Sequence, residues 1–231
     1  MIYLNFLHGI LKMIVTELYQ GIKLYLLVGG KGERLSSVAD GYPKPLVNIN
    51  DRPFLNYILD DLKGFDITLV CSSLNYDFFK DYRTRGLEVI NEGVPCGTAG
   101  FLYKMGETVP DSFYVMNGDT YFTGDLNLDV DKSTVFVAEE LVTGEVGYIR
   151  GENGKVESFV EKDPIASGKR LVNLGMYKFY KKDITLPMRL PASIEYDILP
   201  NMELEYKVLN TVRFDIGTPE RLEKFKTWQH T

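Results

Sequence analysis

The sequence contains few of the residues on which many catalytic sites and metal centres depend. Among its 231 residues there are only two cysteines, Cys71 and Cys96, and two histidines, His8 and His230. Two widely spaced cysteines do not form a disulfide framework or a zinc cluster. Two histidines this far apart do not indicate a His-based catalytic triad or a histidine-rich metal site. The chemistry of the chain must therefore depend on carboxylates, lysine, arginine and backbone amides.

Long uncharged runs and an excess of basic residues are also missing. The N-terminal segment 1–28 is rich in apolar residues, but charged residues interrupt it before an uncharged span reaches 18 residues, so we expect no transmembrane helix and no membrane partner. It has no basic n-region and no small-residue cleavage site, so we expect no signal peptide and a cytoplasmic location. The formal net charge of −6 argues against a nucleic-acid partner, because such proteins neutralise phosphates with a basic surface.

Apolar segments of strand length alternate with amphipathic segments through the first half of the chain. The pattern predicts strands at 23–28, 66–73, 87–91 and 112–119 and helices at 53–65, 75–86 and 98–109. Such alternation is typical of an α/β fold with a Rossmann-like, mostly parallel sheet flanked by helices.

The second half is richer in strand patterns, and it ends in a helical one. Alternating segments occur at 133–140, 146–162 and 170–180, with Asn153-Gly154 as a hairpin turn, and helices are predicted at 193–200 and 218–229. We therefore expect a β-rich subregion within a single domain over residues 23–231. Residues 1–22 form an N-terminal extension of unknown role.

The stretch LLVGGKGERL, residues 26–35, places three glycines directly after an apolar strand. It does not fit the P-loop pattern, and Leu35 stands where a dinucleotide-binding turn has its third glycine. A simple tight turn is one alternative. The other is an anion-binding concavity of backbone N–H groups, with Arg34 as a charged fork for phosphate oxygens. Lys44, held between two prolines, would be presented to the same phosphates.

Six motifs occur in the order typical of one enzyme family. They are VGGKGERL with PKPL, EGVPCGTAG (92–100), NGDTY (117–121), FVEKDP (159–164), NLGMY (173–177) and FDIGTPE (214–220). Together they resemble the sugar-1-phosphate nucleotidyltransferases, also called nucleoside-diphosphate-sugar pyrophosphorylases, from about residue 24 onwards. The resemblance implies an enzyme that joins an NTP to a sugar 1-phosphate and releases pyrophosphate.

The resemblance also implies a role for each matching residue. The catalytic residues would be Arg34 and Lys44. Nucleotide binding would involve Gly29, Gly30, Gly32, Glu92, Gly97 and Asp119. The sugar phosphate and the sugar ring would be bound by Glu161, Lys162, Asn173 and Gly175. Asp119 and Asp215 would converge on the cofactor, Mg²⁺, a hard ion that prefers carboxylates, phosphate and water.

The base is the least determined part of the substrate. A carboxylate at Glu92 can accept hydrogen bonds from both N1–H and N2–H₂ of guanine, whereas uracil or thymine offers one such donor. GTP is therefore favoured over UTP, dTTP or CTP. The motifs PCGTAG and NGDTYF look most like those of guanylyltransferases acting on heptose or mannose 1-phosphate.

Several features leave alternatives open. Glu33 stands where the family usually has Thr or Ser, and Asp163 lies between the lysine and proline of its motif. A non-catalytic relative that binds NDP-sugar as a regulatory subunit is one alternative, although Arg34, Lys44, Asp119 and Asp215 are all present. A dinucleotide-dependent oxidoreductase is disfavoured by the missing glycine. Whether the chain forms a homo-oligomer is left open.

Overall fold

The computed structural model describes residues 17–30, 41–124, 126–143, 146–187 and 189–229. The strands are β1 (Lys23–Leu27), β2 (Asn48–Ile49), β3 (Arg52–Pro53), β4 (Asp66–Cys71), β5 (Glu88–Asn91), β6 (Ser112–Asn117), β7 (Thr120–Gly124), β8 (Thr134–Thr143), β9 (Val146–Glu152), β10 (Lys155–Asp163), β11 (Ser167–Tyr180), β12 (Glu205–Val208) and β13 (Thr211–Asp215). The α-helices are α1 (Phe54–Asp61), α2 (Tyr76–Phe79), α3 (Gly100–Met105) and α4 (Pro219–Gln229). A single π-helical turn covers Ile194–Ile198.

Nine of these strands form one sheet in the order β5–β4–β1–β6–β11–β8–β12–β10–β9. Strands β5, β4, β1 and β6 are parallel to one another. Strand β11 is antiparallel to both β6 and β8, and β12 runs parallel to β8. The predicted α/β class is therefore confirmed, with the parallel part in the first half of the chain and the β-rich part in the second.

Strand β1 lies inside the sheet, and its sequence KLYLL reflects burial on both faces. Side chains alternate across a strand, so Leu24 and Leu26 enter the hydrophobic core on one face while Tyr25 enters the core on the other. All three are almost completely buried. These two cores fix the position of the glycine turn that follows β1.

A second, two-stranded sheet holds the C-terminal helix against the main body. Strand β13 pairs antiparallel with β7, which places Asp215 opposite Thr120. Phe225 of α4 is fully buried and packs on the rings of Phe54 and Tyr121. The FDIGTPE segment is thereby brought next to the end of β6.

The structure describes residues 17–22 of the predicted N-terminal extension, and this segment contributes to the hydrophobic core. Tyr19 is buried, its ring stacks on Phe65 at 4.9 Å between centroids, and its hydroxyl accepts a 2.7 Å hydrogen bond from the backbone N–H of Leu128. Residues 17–22 therefore help to build the fold.

Local predictions from the sequence are confirmed in type, but the predicted helices are shorter in the structure and the strands Thr134–Thr143 and Ser167–Tyr180 are longer than predicted. The helix predicted at 75–86 is one short helix, α2, followed by a 3₁₀ helix over Lys80–Arg85. Asn153 and Gly154 have φ values of 52° and 80°, as a primed hairpin turn requires.

No helix in the described ranges has the length and hydropathy of a bilayer span.

Candidate active site

A cavity of about 350 Å³ opens where the parallel strands end. Its wall brings together six residues singled out in the sequence: Gly29, Gly30, Lys44, Glu92, Gly97 and Asp119. They come from the segments after β1, β5 and β6 and from the turn before β2. The carboxyl ends of parallel strands are the usual ligand-binding edge of an α/β sheet.

The glycine turn lies very close to the neighbouring strand. A Cβ atom on Gly29 would lie 3.0 Å from the Cα of Cys71 and 3.0 Å from the backbone nitrogen of Ser72, tighter than ordinary van der Waals contact. Asn75 donates a hydrogen bond of 3.1 Å to the carbonyl of Gly29. The turn therefore passes directly over the end of β4 and is anchored to the segment before α2.

Lys44 reaches the cavity from a 3₁₀ helix that covers Lys44–Leu46. Pro43 precedes it with φ of −56°, and Pro45 follows it in the buried interior. The Lys44 ammonium lies 3.3 Å from the carboxylate of Asp119, which follows β6. The two residues form a cation–carboxylate pair on the cavity wall.

Glu92 is a half-buried carboxylate directly after β5. Burial raises its pKa, and a backbone hydrogen bond from Cys96 and the charge of Lys104 oppose this effect only in part. The group is thus a hydrogen-bond acceptor in a partly dehydrated position, where such an interaction is stronger than in water.

The loop containing Gly97 is joined to the segment before the π-helical turn. The backbone N–H of Ala192 donates to the carbonyl of Cys96 at 2.8 Å, and the N–H of Ala99 donates to the carbonyl of Ala192 at 3.0 Å. Gly97 has φ of +81°, and a Cβ atom there would overlap the Ala192 carbonyl. The loop can approach this segment only because residue 97 is glycine.

The residues predicted to bind the sugar lie on β10 and β11, and among them Glu161, Asn173 and Gly175 are outside the lining of this cavity. Asn173 accepts a hydrogen bond from the N–H of Gly175 at 2.9 Å and donates one to the Tyr177 hydroxyl at 2.9 Å. Gly175, with φ of +67°, packs against Asn117, which does line the cavity. Glu161 packs against Gly147 of β9.

Asp215 is held by two arginines. One oxygen of its carboxylate lies 2.9 Å from Arg213, and the other lies 2.7 Å from Arg221 and accepts the N–H of Gly217 at 3.1 Å. Burial opposes its ionisation, but Arg221 and Arg213 keep the pKa of this carboxyl below its usual range. Its side chain lines a separate cavity of about 260 Å³ that also contains Glu140.

The two predicted metal ligands are close in the backbone but not in the same cavity. The carbonyl of Asp119 accepts a hydrogen bond of 3.1 Å from the N–H of Ile216, the residue after Asp215. The carboxylate of Asp119 is 39% exposed on the cavity wall and fits a hard cation that also binds phosphates. In Asp215 both oxygens are occupied by guanidinium groups. Within the described ranges, no three metal-ligating side chains form a cluster.

Some predicted site residues lie outside the described part of the chain. These are Gly32 and Arg34, together with Glu33 beside them, and the side chain of Lys162. Their roles stay predictions.

The structure also shows side chains near the cavity for which the sequence predicted no role. Thr98 lines the cavity, and its hydroxyl donates to Glu195 at 2.8 Å. Glu195 lies in the π-helical turn and belongs to none of the motifs quoted above. Thr98 lies in the motif EGVPCGTAG and Tyr177 in NLGMY, and in the sequence only these positions link the two residues to the site.

The fold and the cavity define an α/β protein with an open cavity at the carboxyl edge of its parallel strands. A family model described as Nucleotidyl transferase matches residues 23–224. The chain belongs to this nucleotidyl transferase family.

Individual relatives show the same relationship. The chain is 30% identical over 213 residues to D-glycero-alpha-D-manno-heptose 1-phosphate guanylyltransferase of Campylobacter jejuni, covering 84% of this chain and 94% of that protein. It is 30% identical over 225 residues to the probable mannose-1-phosphate guanylyltransferase 1 of Oryza sativa, covering 86% of this chain and 62% of the rice protein. HddC from Yersinia pseudotuberculosis, solved in complex with GMP-PN, superposes with a TM-score of 0.78 at 28% identity, over 90% of this chain and 99% of that one.

These comparisons confirm the resemblance that the six motifs indicated. They also confirm the prediction of an enzyme of the sugar-1-phosphate nucleotidyltransferase class.

Proposed function

We propose that the chain transfers GMP from GTP to a sugar 1-phosphate of the heptose or mannose type, using Mg²⁺. A phosphate oxygen of the sugar attacks the α-phosphorus of GTP, the bond from that phosphorus to the α,β-bridging oxygen breaks, and pyrophosphate leaves. Such a transfer depends on positioning and charge neutralisation more than on covalent help from the protein. This suits a chain with two histidines and two cysteines.

One observation carries the proposal: the glycine turn, Lys44, Glu92 and Asp119 share one cavity wall. In that arrangement the backbone N–H groups of the turn would face the phosphates, and Lys44 would neutralise their charge. Glu92 would accept from the guanine base. The names of the heptose and mannose guanylyltransferase relatives support the same choice of base and sugar.

Asp119 is the residue best placed to hold Mg²⁺ together with the phosphates. The ion, when bound, would neutralise charge on the nucleotide and on departing pyrophosphate. With its carboxylate on the ion, Asp119 would leave the Lys44 ammonium to pair with the phosphate oxygens. A role for Asp215 as second ligand requires that Arg213 or Arg221 give up a carboxylate oxygen.

Pyrophosphate release tests the proposal directly. The purified chain is assayed with Mg²⁺ and each of GTP, UTP, dTTP, CTP and ATP against a panel of sugar 1-phosphates. We expect the fastest release with GTP and heptose or mannose 1-phosphate. Release with a different base would keep the reaction and overturn the guanine assignment. Binding of NDP-sugar without turnover by any pair would favour a regulatory, non-catalytic protein.

A further inference from the structure

A carboxylate that no motif includes joins two parts of the active site. Glu195 accepts hydrogen bonds from the hydroxyls of Thr98 and Ser193, both at 2.8 Å and both on the same oxygen. Thr98 in turn accepts the backbone N–H of Ile194 at 2.8 Å. Thr98 lines the cavity beside Gly97. This oxygen of Glu195 therefore holds the loop that contains Gly97 and Thr98 next to the proposed guanine site.

The other oxygen of Glu195 faces strand β11. The Tyr177 hydroxyl lies 3.5 Å from it, a long hydrogen bond, and the same hydroxyl accepts from the amide of Asn173 at 2.9 Å. Tyr177 is fully buried, so it has no water to replace these partners. Because Asn173 donates to the hydroxyl oxygen, the hydroxyl proton is left for Glu195. The carboxylate thereby fixes Tyr177, and through it Asn173, the predicted sugar-binding amide.

We propose that Glu195 is a positioning residue that sets the Thr98 loop on the nucleotide side and Asn173 on the sugar side at the same time. This inference rests on the proposed function. Residues 98 and 173 lie 75 positions apart in the chain, and one side chain of the π-helical turn connects them. Glu195 touches neither substrate in this scheme. It acts through Thr98 on one side and through Tyr177 on the other.

Three substitutions separate the two sides. Thr98→Val removes the hydroxyl on the nucleotide side, Tyr177→Phe removes the hydroxyl on the sugar side, and Glu195→Ala removes the carboxylate between them. With GTP and mannose 1-phosphate as probes, we expect Thr98→Val to raise KM for GTP and Tyr177→Phe to raise KM for mannose 1-phosphate, each by about tenfold. Glu195→Ala should raise both constants.

Glu195→Gln gives a sharper test with almost unchanged shape. Its amide oxygen can still accept from Thr98 and Ser193, which directs its NH₂ group toward Tyr177. An NH₂ group cannot accept a hydrogen bond, so the proton of the Tyr177 hydroxyl is left without an acceptor, while the hydroxyl oxygen still accepts from Asn173. We expect KM for GTP to stay within about threefold of wild type while KM for mannose 1-phosphate rises by about tenfold.

Asp197→Asn is the matched control on the same turn. Asp197 accepts the backbone N–H of Ser193 at 2.7 Å, and an asparagine keeps that acceptor while it loses the negative charge, so the change should not separate the two KM values. If Glu195→Ala and Glu195→Gln change both KM values no more than Asp197→Asn does, Glu195 only stabilises the fold and the inference is wrong. Equal effects of Thr98→Val on both substrates would also overturn it.

The wild-type chain separates this failure from failure of the proposed function. A wild type that releases no pyrophosphate from GTP with any sugar 1-phosphate contradicts the proposed function, and the positioning role falls with it. An active wild type whose variants lack the one-sided pattern contradicts the positioning role alone.

Discussion

The two aspartates that the sequence pairs as metal ligands differ in their surroundings, and this difference can be measured. Asp119 is partly exposed beside Lys44, whereas the Asp215 side chain is 17% exposed between two arginines. We expect Asp119→Asn to lower turnover by at least about a hundredfold with little change in the free energy of unfolding. Asp215→Asn should lower the free energy of unfolding by about 2 kcal/mol, because Arg213 remains buried without its full charge partner.

Pyrophosphate release and urea unfolding of the same two variants give the comparison. An Asp215→Asn variant that has lost activity but keeps wild-type stability would show instead that the carboxylate serves the reaction rather than the fold. Loss of stability in Asp119→Asn would contradict the placement of Asp119 on an open cavity wall.

The stabilising effect of Asp215 should depend on pH. Because its folded pKa is depressed, the contribution is fully present above the pKa of an unfolded aspartate, near 4. It is lost as pH falls through the lower, folded value. We expect wild type to lose stability more steeply than Asp215→Asn below about pH 4. Urea midpoints across pH 2.5–6 measure this, and parallel curves for the two proteins would contradict it.

Glu92 should make guanine recognition dependent on pH. In the proposed site, the Glu92 carboxyl can accept from both N1–H and N2–H₂ of guanine only when it is ionised, and burial raises its pKa. GTP affinity should therefore begin to fall, as pH decreases, at a higher pH than an ordinary glutamate would cause. Isothermal titration with GTP from pH 4.5 to 8 gives the profile. In Glu92→Gln we expect GTP affinity to drop about tenfold and this step in the profile to disappear; an unchanged profile would place the base elsewhere.

At the scale of elements, the contact between the Gly97 loop and Ala192 is the most sensitive to a single methyl group. Gly97→Ala adds a Cβ that overlaps the Ala192 carbonyl, in addition to the strain of φ at +81°. Gly93→Ala is the control, since Gly93 has φ of +93° but open space around its Cβ position. Both should lose about 1 kcal/mol of stability from backbone strain. Gly97→Ala should lose more because of the overlap, and it alone should also raise KM for GTP. Thermal unfolding with steady-state kinetics measures both quantities, and matching kinetics of the two variants would contradict this prediction.

The sequence predicts elements well where local pattern decides them. The apolar run of β1 and the Asn153-Gly154 turn are both found, since strand burial and turn chemistry act over a few residues. The motifs also led to Lys44, Glu92 and Asp119, which the fold places in one cavity.

Contacts that depend on tertiary packing could not be predicted from the sequence. Asp215 is paired with Arg221 only because α4 packs against β13, and no spacing rule predicts that ion pair. Glu195 meets Thr98 across 97 residues of chain. The pairing of β13 with β7 in a separate small sheet likewise depends on where α4 docks.

For the molecule as a whole, the two hydrophobic cores share the central strands and should unfold together. Trp228, the single tryptophan, lies in α4 against Phe214 and Tyr121. Its fluorescence reports on the C-terminal helix, whereas far-UV circular dichroism reports on the main sheet. We expect the two signals to give the same urea midpoint within error. An earlier fluorescence transition would show that α4 detaches before the sheet unfolds.

Strand β11 is 14 residues long; its C-terminal part pairs with β6, Leu171 and Val172 pair with β9, and β8 pairs with both its N-terminal and its C-terminal part. Within the main sheet, the parallel strands that precede the glycine turn and the cavity therefore meet the β-rich part, which carries the predicted sugar-binding residues, through β11. Under the proposed function, we expect exchanges in the β8–β9 and β9–β10 hairpins to reshape the sugar site while the parallel strands beside the glycine turn keep their geometry. In evolutionary terms, this architecture would let the choice of sugar change while the nucleotide is kept, and we expect chimaeras with crossovers inside β11 to show hybrid specificities, provided that the contacts of Glu195 are preserved.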